Sequence, residues 1–168
     1  MGTISEIDER IRALSVERQQ RRRDAIRVYR PRSKKIERFH LSEASEKILR
    51  GGAGSGKSCA GFAELASAAT GIPLIGMDGK EMPFRYIDPP LLIWTIGFGW
   101  DHVGDTIHRY LFTEMSGMKM IRDKDTGEFR IYRPWEPEDV ERFKEVEPVP
   151  QLIPHRLIDH TQWAWENK

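Results

Sequence analysis

One run, Gly51-Gly52-Ala53-Gly54-Ser55-Gly56-Lys57-Ser58, constrains this chain more than any other stretch. It satisfies G-x-x-x-x-G-K-[ST], the phosphate-binding loop known as Walker A. The glycines let successive backbone N–H groups turn inward on a polyphosphate, where side chains would clash or forbid the dihedrals. Lys57 brings a point charge to the β/γ oxygens and is the expected catalytic cation. Ser58, in the first helical turn, offers its hydroxyl to Mg²⁺, and the helix N-terminus adds partial positive charge. The expected ligand is a nucleoside triphosphate with Mg²⁺, held by Gly51 through Ser58.

The flanks carry the right order of elements. Lys47-Ile48-Leu49-Arg50 reads as a short extended run entering the loop, and Lys57 to Ala69 reads as a helix whose small-residue face can lie close against a sheet. Leu91 to Ile96 (LLIWTI) is a near-continuous apolar run between Pro90 and Gly97, the pattern of a buried parallel strand. Asp101 to Met115 follows as a helix with Val103, Ile107, Tyr110, Leu111 and Met115 on one face. Strand, loop, helix, repeated, implies an α/β fold: a P-loop-type parallel sheet flanked by helices, incomplete within this chain. Met118–Ile121 and Phe129–Tyr132 flank Asp125-Thr126-Gly127 and read as a β-hairpin inserted on the sheet's rim. Met77-Asp78-Gly79-Lys80 marks a turn, and a short charged helix is expected near 138–146.

Ahead of this lies a basic segment. Residues 1–40 hold 12 Lys/Arg against 6 Asp/Glu, although the whole chain carries a net charge of only +1. Ile4, Ile7, Ile11 and Leu14 recur at helical spacing behind a Thr3/Glu6 capping box, Pro31 ends any continuation, and 32–38 reads as a linker. The expected organisation is a helical arm and linker over 1–38 and a P-loop domain over 39–168. Such an arm is either a solvated helix or a dock for a partner or nucleic acid. With 168 residues, one cysteine and no apolar run of membrane-spanning length, the chain reads as one soluble intracellular domain.

Hydrolysis needs an acidic group at the end of an apolar strand to organise metal and water. None is plain: Asp8-Glu9 lies in the polar N-terminal helix, and Asp88, Asp159 and Asp101 are weak substitutes. The five histidines lack metal-ligand spacing. Cys59 is expected to pack rather than react, and Trp94 to lie in the buried strand.

The runs Phe39-His40-Leu41-Ser42-Glu43-Ala44 and Lys47 to Ser58, with Leu92-Ile93-Trp94-Thr95-Ile96-Gly97, Asp101, Gly104, Thr106-Ile107 and Arg109, resemble the ATPase domain of tailed-phage large terminase subunits. The resemblance covers about residues 39 to 115. It implies an additional-strand P-loop ATPase that binds ATP and Mg²⁺ in the host bacterial cytoplasm. It also implies double-stranded DNA, a small terminase subunit and a portal ring as partners, oligomerisation only within the motor, and no membrane. Lys57 would hold the phosphates and Ser58 the metal. Many members carry an arginine inside the loop where this chain has Ala53, leaving Arg50 as the nearest stand-in. ATPase activity is expected only on completion by C-terminal elements, including the Walker B acid and a nuclease domain.

Two alternatives stay open. A small P-loop kinase would need a lid with arginines, for which Arg122, Arg130 and Arg133 at the hairpin are the candidates. A non-catalytic partner- or DNA-binding module would carry the loop as a remnant.

Overall fold

The computed structural model describes residues 4–86, 92–96, 99, 101–114 and 118–159. Among them are six α-helices: α1 (Ile4–Arg22), α2 (Ala25–Val28), α3 (Lys34–Leu41), α4 (Lys57–Thr70), α5 (Arg109–Phe112) and α6 (Pro137–Glu141). A π-helical stretch over His102–His108 runs straight into α5. Strands β1 (Lys119–Arg122), β2 (Phe129–Ile131) and β3 (Glu147–Pro148) form one antiparallel sheet in the order β2-β1-β3. The molecule is thus mixed α/β.

The hairpin forms as its turn chemistry dictates. Met120 pairs with Ile131 and Arg122 with Phe129. Gly127 takes φ 68°, and the Asp123 carboxylate accepts from the amides of Asp125 and Thr126 at 3.1 and 3.0 Å. Among the described residues it joins β3 in an antiparallel sheet of its own, with β1 as the central strand. The parallel sheet expected from LLIWTI does not appear among the described residues. Leu92, Trp94 and Ile96 are irregular and 85, 76 and 85% exposed, and Lys47–Arg50 forms no ladder. An extended segment without a neighbour leaves its amides and carbonyls to water, so apolarity alone does not make a strand.

α2 occupies the centre. Ala25, Ile26 and Val28 are fully buried and pack with Ala63 and Ala66 of α4, Ile107 and Leu111 of the π-α5 segment, Met120 of β1, and Val149 and Leu152. The small face of α4 thus accommodates helices α2, α3 and α5 where a sheet was anticipated. Residues 32–38, read as linker, mostly belong to α3, whose Ser33 cap accepts from the Ile36 amide at 3.4 Å. The boundary drawn at 38/39 falls inside that helix. α1 stands outside the core, with Ile7, Ile11 and Leu14 more than half exposed; Thr3 lies outside the described residues. The turn at 76–80 closes through Gly76 N–H to the Lys80 carbonyl at 2.8 Å. No described helix is long and apolar enough to cross a membrane.

Candidate functional site: the Gly51–Ser58 loop

The loop leads directly into α4, with Gly56 as N-cap at φ 82° and Gly54 at φ 73°. Both are left-handed conformations that side chains resist, so these two positions require glycine on backbone grounds. Gly52 has ordinary φ and open space around it, so no local crowding demands a glycine there. Among the described residues no side chain caps α4. Among the described residues no protein acceptor takes the amides of Gly54, Gly56, Lys57 or Ser58. A helix start with unspent donors is the condition under which an anion binds.

Lys57 folds back across the loop, its Nζ donating to the Gly52 carbonyl at 3.0 Å. Gly51 through Ser55 and Ser58 are exposed. The geometry brings ammonium, unpaired amides and the Ser58 hydroxyl to one solvent-facing turn, a set that fits a polyphosphate with Mg²⁺. Among the described residues no three His, Cys, Asp or Glu side chains converge on a metal position. An open cavity of about 650 Å³ lies beside the loop rather than over it, lined by Lys35, Arg38, Phe39, Lys47, Ile48 and Arg50.

Behind the loop lies a polar cluster that no local sequence pattern announces. The His40 side chain of α3 is 1% exposed; its Nδ1 meets Glu64 of α4 and its Nε2 stands 2.8 Å from the Tyr29 hydroxyl. Lys47, four residues before the loop, donates to Glu64 at 2.6 Å, and the Tyr86 hydroxyl donates to the same oxygen. Burial alone would raise the Glu64 pKa, but the hydrogen bonds from His40, Lys47 and Tyr86 outweigh it and hold the carboxyl near 2. Burial pushes the Tyr29 hydroxyl well above its ordinary value. His40 thus bridges the Tyr29 hydroxyl and the Glu64 carboxylate through its two ring nitrogens. The cluster fixes the chain entering the loop against the helix leaving it. Its hydrogen-bonded partners lie 11 to 24 residues apart in sequence, so only tertiary packing unites them.

Burial likewise pushes the Cys59 thiol up to about 11, with the Arg32 charge pulling the other way, which keeps it protonated. The candidate acids do not gather at the loop. Asp8 and Glu9 are exposed on α1, Asp101 is exposed at the start of the π-helical stretch, Asp159 is exposed near the C-terminal end, and Asp88 lies outside the described residues. The hairpin arginines are occupied locally. Arg130 forks onto Asp139 at 2.7 and 2.6 Å, Arg122 donates to the Gly127 carbonyl, and Arg133 pairs with Glu136. Neither a family model, nor a curated protein, nor a solved structure matches the chain.

Proposed function

We propose that Gly51–Ser58 binds the polyphosphate of ATP with Mg²⁺, and that the chain is the ATP-binding part of a tailed-phage large terminase, the motor that drives double-stranded DNA into proheads. The observation that carries the nucleotide reading is the loop itself. Two left-handed glycines deliver unspent amides and Lys57 to the start of a 14-residue helix. The motor reading is supported by the resemblance of the flanking residues. In it, Lys47–Arg50 and residues 91–96 are parallel strands of the P-loop sheet, and the apolar side chains that Ile48, Leu92 and Ile96 expose are what neighbouring strands would cover. The small terminase subunit and portal ring are the partners in that assembly, in a bacterial host. Among the described residues no carboxylate stands on a strand beside the loop, so binding is the activity assigned to these residues, with turnover arising only in the assembled motor.

Calorimetry with Mg²⁺ and ATP tests the nucleotide reading. Binding of the whole chain is expected, weakened at least tenfold by Lys57→Ala, since charge-assisted contacts to phosphate are worth about 1.5–3 kcal/mol. Folded protein that evolves no heat of association, or binds equally well without Lys57, overturns it.

A further inference from the structure

The phosphate loop has a second cation that its own sequence does not contain. Arg32 sits between buried Pro31 and the Ser33 cap of α3, so its backbone is held on both sides. Its stem lies over the loop's last glycine: a Cβ built on Gly56 would meet Arg32 Cδ at 3.2 Å and Cγ at 3.9 Å. The side chain is exposed, and among the described residues its guanidinium has neither a hydrogen-bond acceptor nor a carboxylate partner. Nearby arginines differ: Arg27 pairs with Glu81, Arg30 donates to two carbonyls, and Arg156 forks onto Asp24. The Arg32 charge is nevertheless felt locally, where it opposes the upward shifts of the Cys59 thiol and the Tyr29 hydroxyl. Cys59 is the third residue of α4, so the charge lies at the helix-start end of the loop.

We propose that Arg32 is a ligand-binding residue of this site, its guanidinium contacting the α- and β-phosphate oxygens of the bound nucleotide from the Gly56 end while Lys57 acts from the Gly52 end. The inference rests on the polyphosphate reading above. In a phosphate loop the backbone amides cradle the α/β-phosphates and the lysine reaches β/γ. A planar fork of donors anchored beside the amides suits non-bridging oxygens better than a point charge does. Arg32 thereby brings a guanidinium to the loop from the segment that precedes α3.

The test measures affinities of Mg²⁺-ATP and Mg²⁺-ADP for the whole chain and for Arg32→Met, Arg32→Gln, Arg32→Lys and Lys57→Ala, with thermal midpoints confirming that each is folded. Arg32→Met keeps a stem over Gly56 and removes the charge. ATP and ADP share the α/β-phosphates, so both are expected to bind about tenfold more weakly to Arg32→Met and to Arg32→Gln, with Arg32→Lys intermediate. The dependence of affinity on salt should also become shallower. Wild-type binding by both neutral variants, alongside loss in Lys57→Ala, overturns the Arg32 role and leaves the nucleotide reading standing. Weakening of ATP with ADP unaffected overturns the α/β assignment. Absence of binding by the unaltered chain overturns both.

Discussion

A single carboxylate on α4, Glu64, receives hydrogen bonds from three side chains that arrive from three separate stretches: His40 from α3, Lys47 from the approach to the loop, and Tyr86 from the segment after the 76–80 turn. Its folded pKa, held near 2 from an ordinary 4.5, makes it a source of stability that is fully present above about pH 4.5 and lost as pH falls toward 2. At 15% side-chain exposure the linkage amounts to on the order of 3 kcal/mol. Urea denaturation at pH 6 and pH 3 checks this: Glu64→Gln should be less stable than the parent at pH 6 and show a smaller loss between the two values. Part of the loss survives in the variant, because the Arg130 fork also lowers Asp139, and the Thr126 amide and Arg130 lower Asp123. None of this was legible in sequence. His40 read as one of five scattered histidines, and Glu64 as an unremarked position on a helix of small residues.

Among the elements, the ones carrying local punctuation agree with their sequence. The hairpin has its Gly127, α4 ends at Gly71 with φ 71°, and Ile107 and Leu111 face the core as their spacing implies. Elements that depend on a distant neighbour diverge. LLIWTI has the composition of a central strand but finds no ladder partner among the described residues, and Trp94 is exposed instead of buried. The basic N-terminus divides at residue 23. α1 lies outside the core, whereas Ala25, Ile26, Val28 and Tyr29 are inside it. A chain lacking residues 1–22 should therefore retain cooperative thermal unfolding, and one lacking 1–38 should lose it, as followed by circular dichroism. If α1 is the DNA-docking element, the shorter deletion should also weaken salt-sensitive binding to a duplex.

For the whole molecule, α2 is the point where beginning and end of the chain meet. Asp24, 4% exposed, receives a fork from Arg156 at 2.7 and 2.5 Å, and Arg23 pairs with Glu147 of β3. Asp24→Asn leaves the Arg156 fork without its charge partner, and the expected loss is about 2 kcal/mol, or about 4–8 °C in thermal midpoint for a chain of this size. An unchanged midpoint would show that this closure contributes nothing. The sequence alone determined the phosphate-loop signature, the hairpin with its Gly127 turn, and helices α1 and α4, because each follows from residues within one or two turns of one another. Tertiary structure alone decided that α2 is the core's centre, that a helix replaces the 32–38 linker, that Arg32 reaches Gly56, and that Glu64 gathers its three donors. Those outcomes depend on which distant surfaces exclude water together, and spacing along a chain does not encode that.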